Sequence, residues 1–183
     1  AITITMFNNS TNIDKGILNN SGSGSANYSN VSLNANGYII DENLEIDGNL
    51  QLASNLTFAS SKELEISGTL DLGGFQIIGT ASNDLYLFAN AILKTAHSDG
   101  IHAALNNFGY AFDSNSTIEY TGTNQTISYN AAGNYHNLKL RNGGIKTLGN
   151  ANLVKIDNNL TIDTDVTLEV AASEVLTVGN VLT

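Results

Sequence analysis

Residues 44–52, Leu-Glu-Ile-Asp-Gly-Asn-Leu-Gln-Leu, return twenty positions later as residues 64–72, Leu-Glu-Ile-Ser-Gly-Thr-Leu-Asp-Leu. The two nonamers align without a gap, and six of their nine positions are identical. A fixed period of about 20 residues is typical of proteins whose repeats stack on one another. We therefore expect this repeat to decide the fold.

Short triplets with two apolar ends and a polar or variable middle continue the pattern along the chain, as in Leu56-Thr57-Phe58 and Leu160-Thr161-Ile162. Turn-forming residues such as Asp47-Gly48-Asn49 separate them. Three triplets in each 20–22 residues predict an all-β fold, a parallel β-helix with three short strands per coil. The general rule for parallel crossovers predicts a right-handed coil. An antiparallel sandwich or barrel is the alternative, although it does not require a 20-residue repeat.

Composition limits the classes of partner. The 183 residues are enough for one domain, and the net charge of −10 argues against nucleic acid and anionic membrane surfaces as partners. Cysteine is absent, so the chain has no disulfide and no thiolate metal site. Proline is also absent, which suits a stack in which nearly every backbone N–H is needed by a neighbour. The sequence contains no run of 18 apolar residues, so it predicts no membrane-spanning helix.

We interpret residues 1–183 as a single β-solenoid domain with two irregular parts. Residues 1–37 form an irregular start, and residues 96–113 interrupt the triplets as a predicted loop insertion. Within that insertion, Ser98 to Asn106 is compatible with a short helical turn. Because the chain begins at Ala1 with no basic segment before it, we expect either a removed signal peptide or a segment of a longer protein.

Residues 117–162 carry a resemblance to a known group of proteins. Ile118-Glu119-Tyr120-Thr121-Gly122-Thr123-Asn124-Gln125-Thr126-Ile127 is followed by Tyr135-His136-Asn137-Leu138, Gly144-Ile145-Lys146-Thr147-Leu148 and Asn159-Leu160-Thr161-Ile162. This succession resembles repeat regions of large secreted surface proteins of Bacteroidetes. The resemblance implies export by the type 9 secretion system and a location outside the cell or on its outer surface.

The tightest group of chemically active side chains is His97, Asp99 and His102. These residues could bind a divalent metal, or act as base and acid on a sugar. The alternative interpretation is a solvated loop in which Asp99-Gly100 makes a turn.

Tyr110 and Tyr120 are the candidates for stacking on a glycan, because they belong to an aromatic-rich stretch between residues 86 and 135. The alternative interpretation places these rings in the core, where a coil widens.

Carboxylates supply two further hypotheses. Glu45, Glu65 and Asp71 could share one face, as in solenoid polysaccharide lyases and hydrolases, although the chain has only seven Lys and Arg to neutralise an acidic substrate. Asp163 and Asp165 could bind Ca²⁺ through their oxygens, and an acidic turn is the alternative. No other cofactor is expected.

Three functional hypotheses remain open. The first is a non-enzymatic structural or adhesive segment of a secreted surface protein, with cell-surface glycans as partners. The second is a carbohydrate-active or sugar-binding β-helix with a site near residues 97–135. The third is a segment of a self-assembling extracellular fibre, in which copies of the chain stack on one another.

Overall fold

The computed structural model describes residues 2–5, 12–13, 31–34, 39–41, 43–127, 134–149 and 153–183. Nearly all of the regular structure is β. The elements, in chain order, are β1 (Ile2–Thr5), β2 (Asn12–Ile13), β3 (Val31–Asn34), β4 (Ile39–Ile40), β5 (Leu44–Ile46), β6 (Asn49–Leu52), β7 (Leu56–Phe58), β8 (Glu63–Ile66), β9 (Thr69–Asp71), β10 (Ile77–Leu87), β11 (Ile92–Thr95), α1 (Gly100–Ala104), β12 (Leu105–Phe112), β13 (Thr117–Tyr120), β14 (Gln125–Ile127), β15 (Asn137–Leu140), β16 (Gly144–Leu148), β17 (Val154–Ile156), β18 (Asn159–Ile162), β19 (Val166–Glu169), β20 (Leu176–Val178) and β21 (Val181–Leu182).

Every strand pairing in the described residues is parallel, and the strands pair between coils. The longest sheet has nine strands in the order β1-β3-β6-β9-β11-β13-β15-β18-β21. The other strands of each coil lie on two further faces of the solenoid. The long strand β10 belongs to both of these faces, since it pairs with β7 through Ile77 and with β8 through Leu85. This arrangement is a parallel β-solenoid with three strands in each regular coil, which confirms the fold predicted from the repeat. The hand of the coil stays a prediction.

The two nonamers lie directly one above the other. Leu44 pairs with Leu64, and Leu50 pairs with Leu70, so like residues are stacked in register. Their side chains point into the coil and are at most 4% exposed. The same inward column runs through the nine-stranded sheet as Leu50, Leu70, Leu93, Ile118, Leu138 and Leu160. Stacked apolar columns of this kind form the core that a single coil of three short strands could not bury by itself.

Asparagine side chains join successive coils at the corners. Asn43 Oδ1 accepts the backbone N–H of Glu63 at 3.0 Å, and Asn55 Oδ1 accepts that of Gln76 at 2.9 Å. Asn159 Nδ2 donates to Asn137 Oδ1 at 3.0 Å in the coil before it. The first two bonds satisfy backbone N–H groups at or just before the start of a strand.

The predicted loop insertion at residues 96–113 is largely regular structure, and the loop prediction is wrong over most of its length. Residues 100–104 are α1, which matches the predicted helical turn, and residues 105–112 are β12, which pairs with β10. Four β10 residues, 79–82, lie opposite a single β12 residue, Asn107, between two paired segments. Asn107 has φ of 60°, so the strand bends there and the apolar spacing of the triplets is lost.

The predicted irregular start, residues 1–37, lies outside the described residues except for β1, β2 and β3. These strands continue the parallel order, since β1 pairs with β3 and β3 pairs with β6.

Gly68 gives a test of how closely the coils approach. A Cβ at this position would collide with the carbonyl oxygen of Gly48 and with the backbone of Asp47, in the coil beside it. We expect Gly68→Ala to lower the free energy of unfolding by about 1–3 kcal/mol, since the two backbones must move apart. Urea denaturation followed by circular dichroism measures this change.

Gly74→Ala is the matched control, because a Cβ at Gly74 would have no neighbour within 4 Å. We expect its effect to stay within about 0.5 kcal/mol. Equal losses in the two variants would contradict the close stacking of Gly48 and Gly68.

Candidate functional site

His97, Asp99 and His102 have separate structural surroundings. His97 is half-buried after β11, where its Nε2 lies 3.3 Å from Gln76 Nε2 and its Nδ1 accepts the backbone N–H of Asp99 at 3.2 Å. His102 is exposed on α1, and its Nδ1 lies 2.9 Å from the Tyr110 hydroxyl. In the part of the chain that the structure describes, no group of three His, Cys, Asp or Glu could hold a metal ion.

Tyr110 lies mostly inside the coil, on β12. It is 8% exposed and stacks on Phe112, with ring centroids 5.2 Å apart and planes 20° apart. Burial, helped by the neighbouring Tyr120, raises the pKa of the Tyr110 phenol to about 12. Only a small part of this ring is available to a ligand.

Tyr120 is a core residue with no exposed surface. Its hydroxyl lies 3.0 Å from that of Tyr135 and accepts the backbone N–H of Ile101 at 3.3 Å. Burial raises the pKa of the Tyr135 phenol well above 10, with Tyr120 adding to the effect. Stacking on a sugar requires an exposed ring face, so the core interpretation fits Tyr120 and the glycan interpretation does not.

The structure brings together a different group of residues, on the outer face of the nine-stranded sheet. The middle residue of each strand points outward, and these residues stack in register as Gln51, Asp71, Lys94, Glu119 and Lys139. Charges alternate along the last four positions. Each of these residues is the middle of a triplet, so the sequence indicates that it points outward. That they form one column of alternating charge appears only when the strands are aligned.

Glu119 is the centre of this surface, and its side chain is only 7% exposed. Its carboxylate oxygens lie 3.7 Å from Lys94 Nζ, 3.4 Å from Lys139 Nζ and 3.6 Å from Arg141 Nε. Three of the chain's seven basic residues therefore surround one carboxylate. The sequence has only seven basic residues, and their spacing along the chain does not indicate that three of them meet at one carboxylate.

Arg141 connects this group to the next coil, since its Nη1 lies 3.8 Å from Asp163 Oδ2. The Ca²⁺ site predicted at Asp163 and Asp165 thus has one of its carboxylates directed at a basic side chain of the chain itself.

A groove of about 550 Å³ runs beside these residues. Its lining comes from five successive layers of the stack, so it extends about 19 Å along the sheet at about 4.8 Å per layer. The lining is polar and consists of Gln51, Asp71, Gly73, Lys94, Glu119, Thr121, Arg141 and Asn142. We call this feature the charged groove.

Lys146 is a buried base on the second face of the solenoid, with no exposed surface. Its ammonium donates to the carbonyl oxygen of Gly122, to that of Thr123 at 3.1 Å and to Gln125 Oε1 at 3.2 Å. Burial lowers the pKa of the Lys146 amine. Because all three acceptors lie in one turn, Lys146 fixes the corner between β13 and β14.

The stacked parallel coils define the chain as a β-solenoid protein. Comparisons with protein-family models, curated proteins and solved structures found no match to this chain. Within the described ranges, no helix has the length and apolar character needed to cross a membrane.

Glu119→Gln tests whether the carboxylate holds the three basic side chains together. The variant leaves three cations close to one another with no anion between them, so we expect a loss of about 1–3 kcal/mol in the free energy of unfolding. Urea denaturation at neutral pH provides the measurement.

Asp163→Asn is the control, because it removes one partly exposed partner of Arg141. Partly exposed pairs contribute about 0–1 kcal/mol, so a control loss as large as that of Glu119→Gln would contradict the central role of Glu119.

Tyr110 gives a prediction about alkaline pH. A phenol whose pKa is raised on folding stabilises the fold fully below pH 10, and this stability is lost as the pH rises toward 12. We expect Tyr110→Phe to be less stable than the wild type near neutral pH, because the hydrogen bond with His102 is lost. The difference in unfolding free energy between the wild type and Tyr110→Phe should narrow as the pH rises from 10 to 12.

The difference between the two unfolding free energies, measured against pH, removes the contributions of groups that the substitution leaves unchanged. Folding raises the pKa of Tyr135 in both proteins, so its titration lowers the stability of both as the pH rises. Folding lowers the pKa of Lys146 in both, so its titration raises the stability of both. A gap that stays constant from pH 10 to 12 would show that the phenol of Tyr110 titrates normally.

Proposed function

We propose that the chain is a non-enzymatic, structural and adhesive β-solenoid segment of a secreted or cell-surface protein. The unbroken stack carries this proposal. From β6 to β21, each strand of the nine-stranded sheet pairs with the next, and the inward apolar column stays buried from Leu50 to Leu160. Such a stack gives length and stiffness from few residue types, and it presents a long flat polar face.

An extracellular location rests on the resemblance of residues 117–162 to repeat regions of Bacteroidetes surface proteins. The polar exterior and the absence of cysteine are compatible with it, since a stack of this kind is stabilised by its core and needs no disulfide.

A carbohydrate-active enzyme is the second candidate, and the charged groove favours it. Asp71 and Glu119 both line the groove, and glycosidases use two carboxylates. The two residues are two strand spacings apart in the sheet, or about 9.6 Å. We place this role second because Glu119 is 7% exposed and is directed at three basic side chains, which leaves it poorly placed to reach a substrate.

Deleting residues 49–68 tests the structural role. This removes one repeat and joins Gly48 to Thr69, so that the junction matches that of Gly68 and Thr69. We expect a folded protein whose longest dimension is shorter by about 4.8 Å in solution scattering. In cells that produce the parent protein, we expect surface display, measured by protease shaving, to be retained.

Deleting residues 49–58 is the matched control, because half a repeat puts the remaining strands out of register, and we expect loss of folding and of display. A folded whole-repeat variant that is no longer displayed on the surface would contradict the proposed structural role. Particles that lengthen with protein concentration would favour the self-assembling fibre instead.

A further inference from the structure

The three basic residues around Glu119, of which Lys94 and Arg141 line the charged groove, keep hydrogen-bonding capacity that the described residues do not use. Their distances to Glu119 are 3.4–3.7 Å, whereas charge-assisted hydrogen bonds measure about 2.7–2.9 Å. Arg141 Nε is buried and makes no hydrogen bond with any described residue. The exposed parts of the Lys94 and Arg141 side chains, which are 31% and 38% exposed, can therefore donate to an anionic ligand without first breaking a short internal bond.

The local charge of the groove differs from that of the chain. Three basic residues face one carboxylate at Glu119, in a protein whose net charge is −10. Asp71 and Asp163 flank this group, so the positive region is short and is bounded by carboxylates at both sides. A ligand with separated negative charges and neutral polar groups between them fits this pattern better than a dense polyanion does.

The lining of the groove favours a sugar over a peptide. An extended peptide would need free backbone groups at a strand edge, but the strands beside the groove already pair with neighbours on both sides. The other side chains that line the groove include Gln51, Thr121 and Asn142, whose amides and hydroxyl can hydrogen-bond to sugar hydroxyls. Asp71 also offers a carboxylate that can accept such bonds. A volume of about 550 Å³ suits a short oligosaccharide segment.

We propose that the charged groove binds an acidic polysaccharide through the carboxylate of a uronic acid residue, held by Lys94 and Arg141. The neighbouring sugar residues lie along the groove and bond to its amide, hydroxyl and carboxylate groups. This inference names a ligand class for the adhesive role proposed above, and it rests on that role for its biological setting.

Calorimetric titration with an oligosaccharide of alternating glucuronic acid and N-acetylglucosamine, using the folded full chain, tests the inference. We expect saturable binding that weakens as salt is added, and no binding of a neutral N-acetylglucosamine oligomer of the same length. Lys94→Gln and Arg141→Gln should each weaken binding by about tenfold, the size expected when one charge-assisted hydrogen bond is lost.

Lys62→Gln is the control, because it makes the same charge change at a surface residue that pairs with Asp41, outside the groove. We expect it to change affinity by less than about twofold, as a distant surface charge should. A loss equal to that of Lys94→Gln would overturn the inference, since the effect would then come from net charge alone.

Amide chemical shifts of the wild-type protein supply a second measurement that does not depend on the variants folding. The alternating acidic oligosaccharide should perturb Thr121 and Asn142, which line the groove, and leave Thr177 on β20 unchanged. Equal binding of the neutral oligomer, of oligoglutamate or of inorganic sulfate would overturn the inference. Its failure would leave the structural role standing, because that role is measured by solution scattering and surface display.

Discussion

Hydrogen bonding between coils is the interaction on which this structure depends. Each strand of the nine-stranded sheet finds its partners in neighbouring coils, at register shifts of 19 to 29 residues, and the coil to which it belongs supplies none. A strand of three or four residues is unstable by itself, so a coil exists only because its neighbours exist. Two consequences follow from this geometry. A side chain on an inner strand has a fixed neighbour in the coil on either side, and nearly every backbone N–H of the strands is needed by a neighbouring strand, which suits a chain of 183 residues without proline.

The inward columns show what happens when a coil departs from the regular length. Where Leu50 pairs with Leu70, the period is twenty residues and the column is purely aliphatic. The step from Ile92 to Thr117 takes twenty-five residues, and it is here that α1 is inserted and that tyrosines replace leucines. The longer coil encloses more space, which larger rings fill. The hydroxyls of Tyr120 and Tyr135 bond to each other, so these rings bring polar groups into the core without leaving them unpaired.

The outward-facing side chains stack in the same register, and there the charges of neighbouring side chains matter more than their volumes. Glu45 lies beside Glu65 on one face, an arrangement tolerated because both side chains reach solvent. On the nine-stranded sheet, Asp71, Lys94, Glu119 and Lys139 alternate in sign, and Arg141 completes the group around Glu119. The chain is poor in charge, yet it concentrates its basic residues where they neutralise a nearly buried carboxylate. That concentration makes this face the most distinctive surface among the described residues.

The repeated nonamer by itself determined the solenoid, because identical residues at a fixed spacing must occupy equivalent places once the coils stack. It also determined which side of each triplet faces the core, since apolar residues at alternate positions point to the same side. The sequence did not reveal β12, because the bend at Asn107 breaks the alternation that identifies a strand. It did not separate the buried ring of Tyr120 from an exposed one, as both satisfy the same pattern. Only the tertiary structure placed Lys94, Glu119 and Arg141 together, because their contacts join residues more than twenty positions apart and depend on the unequal lengths of the coils between them.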